Sequence, residues 1–436
     1  MFRKLIPLLA APVWLGAQQP ATDTTFHPIS MTDAIRLAKE NNVSNITAAN
    51  SVRSSNNNVR AARAAMYPTL DLRASQSKSA GQRVNNQTNQ LVDFVPVWAY
   101  STGLSSSFTL FDAGKMFTDV RSAKANVVAS EATEINTEYN VSLQVKQTYN
   151  SILAAKESEA AAQAQLQAAQ SQLETSIAKV KAGAANVSDS LRSVVQVGNA
   201  QLALLRALNA SRTFSATLTH LVGTPYFVTA DLSDTVAHPV APLDSAMIMQ
   251  LALEGPQIRQ YEAQSNAALA ARSSAKAAYF PTVQASASYS GSGTAAAYGL
   301  NGNPYPYTRG ITLSMSYPIF NRFSRENSIA AQEIAYQNAQ AQLRDARLAA
   351  QQNIITDIAT LRNAEETMRV QDINVRASEE DLRVQQQRYN LGASTLLDVL
   401  NSQLTLVQAR QSLIQARLDY RNAKAQIEAA IGHDLP

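Results

Sequence analysis

Four stretches of the chain alternate apolar and small polar residues with a period of two. In the first, Leu70, Leu72 and Ala74 alternate with Asp71, Arg73 and Ser75. In the second, Trp98, Tyr100, Leu104, Phe108 and Leu110 alternate with Ala99, Ser101, Ser105, Ser107 and Thr109. The third sets Val283, Ala285, Ala287 and Tyr289 against Gln284, Ser286, Ser288 and Ser290. The fourth sets Ile311, Leu313, Met315, Tyr317 and Ile319 against Thr312, Ser314 and Ser316. Runs of about ten residues, apolar on one side and wet on the other, suit strands of a transmembrane barrel. A solvent-exposed sheet with one buried face is the alternative. The intervening stretches 80–96 and 292–307 are rich in Asn, Gln, Gly and Pro, as loops are.

Between the strand pairs the period changes to seven. Val145, Ile152, Leu166, Leu173 and Val180 fall on one comb, and Ile354, Leu361, Val375, Leu382 and Tyr389 on another. Sustained heptads predict left-handed coiled-coil packing. Helices are expected at 31–66, 113–182, 186–221, 244–279, 322–391 and 395–431, with strands at 69–79, 97–110, 282–291 and 308–319. A helix of about 70 residues spans ~105 Å, so each long helix matches two short ones stacked end to end.

The pattern occurs twice. The segment Ala64-Ala65-Met66-Tyr67-Pro68-Thr69-Leu70 matches Ala277-Ala278-Tyr279-Phe280-Pro281-Thr282-Val283 at an offset of 213 residues. Phe111, Gly183, Asp189, Leu191 and Gly223 match Phe320, Gly392, Asp398, Leu400 and Gly432, all at an offset of 209. Each half therefore reads helix, strand, strand, long helix, helix. The expected divisions are a signal peptide at 1–17, a first repeat at 18–223, an equatorial linker at 224–243 and a second repeat at 244–436.

Four strands cannot close a membrane barrel, and an open edge in lipid leaves backbone groups unpaired. Two copies would give eight strands and a bore filled by side chains. Three would give twelve strands and room for an aqueous lumen. The expected architecture is mainly α with a small β part: a trimeric 12-strand transmembrane β-barrel joined to a 12-helix periplasmic α-barrel.

Composition narrows the function. Only 16% of residues are charged and 6% aromatic, and the formal net charge is +4 over 436 residues. No basic cluster is interleaved with aromatics, so nucleic acid is not an expected partner. The absence of cysteine removes disulfides, thiolate metal sites and a cysteine nucleophile. The four histidines, His27, His220, His238 and His433, are scattered, and there is neither a phosphate-cradling loop nor a nucleophile elbow. Nothing points to an enzyme or a cofactor. At the N-terminus, Arg3 and Lys4 precede the apolar stretch from Leu5 to Leu15, with Ala17 as a small residue before cleavage. That is the pattern of a secretory signal.

The paired junctions Tyr67-Pro68 and Phe280-Pro281 carry a resemblance. So do the strand exits Leu110-Phe111-Asp112-Ala113-Gly114 and Tyr317-Pro318-Ile319-Phe320-Asn321. Two turn motifs complete it: Arg388-Tyr389-Asn390-Leu391-Gly392 followed by Leu397-Asp398-Val399-Leu400, and the looser Val180-Lys181-Ala182-Gly183 followed by Ser188-Asp189-Ser190-Leu191. In this order and doubled spacing they resemble the TolC family of outer-membrane factors, over nearly the whole chain after the signal.

The resemblance implies a homotrimer in outer-membrane lipid, reaching into the periplasm. It would take cargo from an inner-membrane pump of RND or ABC type through a periplasmic adaptor protein, in tripartite efflux or type I secretion. It places the adaptor-docking tips at Gly183, Ala184, Ala185 and Asn186 and at Gly392, Ala393, Ser394 and Thr395. It makes Tyr389, Ser188 and Asp189 a gate latch, and Asp398 and Asn401 the pore constriction. Ser394 stands where one family member has a latch-reinforcing arginine, and Asn401 where that member has a second aspartate. Both departures imply a weaker, less acidic closure. The competing reading is a periplasmic coiled-coil spacer with a small β-cap.

Overall fold

Capping residues set where the elements begin and end. The computed structural model describes residues 25–232, 244–295 and 307–435. The expected signal segment 1–17 and most of the expected linker, 233–243, lie outside these, as does His238. After a short strand β1 (His27–Ile29), the Ser30 hydroxyl accepts from the Asp33 amide and opens α1 (Met31–Asn41). Asn42, extended at φ −66° and ψ 131°, ends α1 and caps α2 (Val43–Ala64) by accepting from the Ser44 amide. The single helix expected at 31–66 is thus two helices, broken at an Asn whose side chain competes with the helical backbone. The second repeat breaks in the same place: α5 (Ser245–Leu253) stops before Gly255, and α6 (Pro256–Ala275) starts with proline at its first position. A 3-10 turn, Lys276–Tyr279, follows α6.

The long helices run as expected. They are α3 (Lys115–Lys181) and α7 (Ser324–Asn390), each of 67 residues, and they return as α4 (Val187–Val222) and α8 (Leu396–Ile431). On the first comb Val145 and Ile152 are fully buried, but Leu166, Leu173 and Val180 are only half-buried. There the seam shifts to Ala155, Ala162, Ala169 and Ser176, small residues seven apart. Small side chains let α3 approach its neighbours closely. In the second repeat Ile354, Leu361, Val375 and Tyr389 are buried on the expected comb.

Three of the four strands are longer than their alternation suggested. Strand β2 is Asp71–Val84 and β3 is Leu91–Phe111, so the loop expected at 80–96 shrinks to 85–90. Strand β5 is Thr282–Ala295, while β6 is Tyr307–Ser316, short of the expected 319 and without Tyr317 and Ile319. Alternation is required only where one face meets lipid. Beyond that level the backbone ladder continues to Val84 opposite Leu91 without the strict alternation.

The four strands form one antiparallel sheet in the order β2-β3-β5-β6. Its register collects the apolar positions on one face: Leu72 opposite Leu104 opposite Tyr289, and Phe108 opposite Ala285 opposite Leu313. The other face carries rows such as Ser107, Ser286 and Thr312. A bulge between Thr109 and Phe111 lets Phe111 replace Leu110 opposite Val283.

Three layers share one plan. The sheet runs β2-β3-β5-β6, the helices beside it run α2-α3-α6-α7, and the far helices run α4-α3-α8-α7. Each layer has four members and two free edges. The main cores lie where the short helices meet. In the first repeat Val145, Tyr149 and Ile152 pack with Leu218, Val222 and Val228. In the second, the equivalent Ile354, Ile358 and Leu361 pack with Tyr420, Ile427 and Ile431. Within the stretch expected as linker, β4 (Val228–Ala230) pairs in parallel with β1. The Tyr149 hydroxyl donates to the Ile29 carbonyl at 3.0 Å and accepts from the Asp231 amide at 3.1 Å. Lys146 ties the repeats together, 2.7 Å from Glu428 and 2.8 Å from Asp434.

Candidate functional site at the helical tips

Both hairpins turn by the same chemistry. At the end of α3, Gly183 takes φ 70°, its amide donates to the Val180 carbonyl at 3.0 Å, and the Ala184 amide donates to that of Lys179 at 2.8 Å. At the end of α7, Gly392 takes φ 75°, with matching bonds from Gly392 to Tyr389 and from Ala393 to Arg388. These are Schellman turns, which need the left-handed conformation that glycine adopts without strain. The next helices are capped by Asn186, accepting from the Ser188 amide, and by Thr395, accepting from the Asp398 amide. Gly183, Ala184, Asn186, Gly392, Ala393 and Thr395 are exposed, while Ala185 and Ser394 are half-buried. The Ser394 hydroxyl donates to the Gln385 carbonyl at 3.3 Å.

Tyr389 lies between the two hairpins. Its ring is buried at 8% exposure, and the Lys179 ammonium sits 3.6 Å from the ring centroid. The same ammonium donates to the Tyr389 carbonyl at 3.0 Å. One cation from α3 therefore holds both the ring and the backbone of the last turn of α7. The Tyr389 hydroxyl is enclosed with no partner in hydrogen-bonding geometry. Burial pushes its pKa up, against the lowering influence of the Ser176 hydroxyl beside it, and the nearby Asp189 carboxylate adds to the rise. Asp189, half-buried at the third position of α4, acts on the phenol through space without bonding to it. Ser188 is exposed. Beside them Ser176 and Ser193 share a buried hydroxyl pair at 3.0 Å.

Asp398 and Asn401 are exposed on the first turns of α8. The Asp398 carboxylate accepts from the Thr395 hydroxyl at 2.7 Å and from its amide at 2.8 Å, completing a capping box. These bonds, with Arg388 nearby, hold its pKa below the usual aspartate value. Lys179 was absent from the sequence-based latch. Its one visible signal is that it corresponds to Arg388 at the 209-residue offset, each standing just before the comb positions Val180 and Tyr389. Among the described residues no acidic and histidine side chains cluster as a metal site, and no helix is long and apolar enough to cross a membrane.

A duplicated protomer with an amphipathic four-stranded sheet above hairpin tips matches one family. The profile of the outer membrane efflux proteins aligns with residues 34–224 and again with 247–433. The chain belongs to that family. It is 28% identical over 380 residues to the pyoverdine export outer membrane protein OpmQ of Pseudomonas aeruginosa, covering 85% of this chain and 78% of that one. It is 23% identical over 413 residues to the probable efflux pump outer membrane protein TtgC of Pseudomonas putida, covering 93% and 84%. Among solved structures, CusC superposes with a TM-score of 0.77 at 20% identity, covering 99% of both chains. The open state of the MtrE channel of Neisseria gonorrhoeae superposes with a TM-score of 0.72 at 20% identity, covering 98% of both. The protein is thus an outer-membrane efflux channel of the TolC type, not an enzyme, and it works with other efflux-pump components.

Proposed function

We propose that three copies of the chain close edge to edge into one conduit, gated and docked at the helical tips. The observation that carries this is the matching of free edges in all three layers. The sheet ends in the unpaired outer edges of β2 and β6. The far helical layer ends in α4 and α7. Along α4 an apolar stripe of Val187, Leu191, Val194, Leu202 and Leu205 stands exposed in the single protomer, and α7 exposes Leu348, Ile355 and Ile373. Each repeat brings two strands, so three protomers give twelve, with β6 of one antiparallel to β2 of the next.

In such a ring the two Gly turns of every protomer point away from the membrane. Gly183 to Asn186 and Gly392 to Thr395 offer exposed backbone and small side chains, a surface suited to a helical adaptor protein fed by an inner-membrane pump of RND or ABC type. Tyr389 acts as the latch within each protomer, with Lys179 as its clamp and Ser188 and Asp189 as neighbours. Asp398 and Asn401 line the constriction. Relatives named for pyoverdine export and for antibiotic or toluene efflux support a small-molecule cargo.

The test is the mass of the detergent-extracted particle by light scattering, together with its heat-modifiable mobility. A trimer is expected. Replacing Leu202 and Leu205 with Glu should release monomers, because the α4 edge would then bury charge. A membrane-inserted wild-type monomer that is stable by itself would overturn the proposal.

A further inference from the structure

The lipid-facing side of the sheet carries two cations with no counter-ion among the described residues. The Lys78 ammonium lies 5.4 Å from the centre of the Trp98 ring. Arg309 lies 5.5 Å from the Tyr289 ring, which stacks on Tyr307 at 5.0 Å with the planes 5° apart. Both cations are exposed, and neither forms an ion pair among the described residues. The described strands hold only two carboxylates. Asp71 is on the opposite face, opposite Ser105, and Asp93 pairs with Gln82 beyond the hairpin bulge.

The duplication sets the two cations two residues apart in height, on neighbouring steps of one belt. Lys78 is opposite Trp98, and their counterparts at offsets of 213 and 209 residues are Gly291 opposite Tyr307. One step lower, Gln76 opposite Tyr100 corresponds to Tyr289 opposite Arg309. Each repeat thus supplies one cation and its aromatic partner to the same belt. The belt is high on the barrel. Lys78 stands nine residues above Thr69, where pairing with β3 begins through Ser107. A strand tilted by about 40° climbs roughly 2.5 Å per residue, which puts Lys78 ~22 Å up an apolar band ~25 Å tall and Arg309 ~5 Å below it. That is the level of the outer headgroups, where aromatic rings sit.

A cation on the lipid face is tolerated best where an anion meets it. Ammonium and guanidinium groups fixed over ring faces are directed toward whatever headgroup lies alongside, and guanidinium matches phosphate in a bidentate fork. We propose that Lys78 and Arg309, set by Trp98, Tyr289 and Tyr307, form a binding belt for the phosphates of the phosphorylated glycolipid of the outer leaflet. It rests on the reading of the sheet as a lipid-facing barrel. In a closed trimer the belt presents six cations, two from each protomer.

The test uses the full-length protein purified in detergent, with bound lipid followed by native mass spectrometry. The probes are bis-phosphorylated lipid A, its dephosphorylated form and phosphatidylglycerol. Wild type should retain bis-phosphorylated lipid A at least about tenfold better than either other probe, and added salt should weaken the preference. Lys78→Gln with Arg309→Gln should remove the preference while leaving the oligomer and its bilayer conductance intact. Equal retention of the phosphorylated and dephosphorylated forms by wild type would overturn the proposal without recourse to any variant. Preference for phosphatidylglycerol would overturn the choice of lipid, and an undiminished preference in the double variant would overturn the residues. Failure of the wild type to insert into membranes would instead count against the channel reading.

Discussion

The side chain of Asn42 donates a 2.8 Å hydrogen bond to the carbonyl of Leu221, joining the break between α1 and α2 to the last turn of α4. The second repeat makes this junction without a side chain. At the positions corresponding to Asn42 and Leu221, Gly255 lies so close to Ala430 that an added Cβ would come 2.2 Å from the Ala430 carbonyl oxygen. One repeat fills the junction with an amide, and the other closes it backbone to backbone.

The two junctions should therefore respond differently. Asn42→Ala removes a helix cap and one bond, at a cost of about 1 kcal/mol. Gly255→Ala forces two helices apart and should cost ~1–3 kcal/mol, although φ at Gly255 is ordinary at −66°. Thermal unfolding midpoints of the detergent-extracted protein would rank them. A Gly255→Ala variant as stable as wild type would show that the close approach is not maintained.

The helix ends were legible because their chemistry is local. Gly183, Gly392, Gly223 and Gly432 all take positive φ where the heptads stop. The lengths of β2 and β3 were not, because above the lipid the ladder persists without alternation. The β1–β4 pair was also hidden: two three-residue strands about 200 residues apart carry no periodicity. Lys179 and Tyr389 were separated in the same way. Their contact exists only once α3 is packed beside α7, and no motif within either helix signals it.

Sheet orientation is testable by charge. Leu313 and Ser314 are neighbours on β6 that face opposite ways, and Leu313 is 68% exposed in the protomer. Leu313→Arg should impair membrane assembly by roughly 2–4 kcal/mol if it lies near the midplane, whereas Ser314→Arg, facing the lumen, should be tolerated. Leu104→Arg and Ser105→Arg should split likewise on β3. The yield of heat-modifiable oligomer in membranes reports both pairs. Equal yields within each pair would show that the faces are not in lipid, and the opposite ranking that they are reversed.

The clamp on Tyr389 predicts which chemical change loosens the tip. The hydroxyl has no hydrogen-bond partner, so Tyr389→Phe should leave single-channel conductance near wild type. Lys179→Met keeps the length of the stem but loses the charge, and so both the ring contact and the bond to the Tyr389 carbonyl. It should raise conductance in planar bilayers. Tyr389→Leu should do the same. Were Tyr389→Phe to open the channel and Lys179→Met not, the latch would lie in the phenol and its acidic neighbour instead.

The last prediction concerns acid. The Asp398 carboxylate accepts two bonds from Thr395, first from the hydroxyl and then from the amide, and both favour its charged form. Its folded pKa is lowered from the ordinary 3.8, so the capping box is fully formed above that pH and is lost as pH falls through the lower folded value. The charge follows the same course. If Asp398 lines the constriction, a ring of these carboxylates attracts cations, and the attraction should persist at pH 3.8, where an unperturbed aspartate is half neutral. Reversal potentials across a salt gradient, measured from pH 7 downward, should show cation preference falling with a midpoint below 3.8. Thr395→Val removes the hydroxyl donor and should move the midpoint upward. Asp398→Asn should abolish the step at every pH. A wild-type midpoint at or above 3.8, or one unmoved by Thr395→Val, would place the selectivity on other carboxylates and leave Asp398 as a helix cap alone.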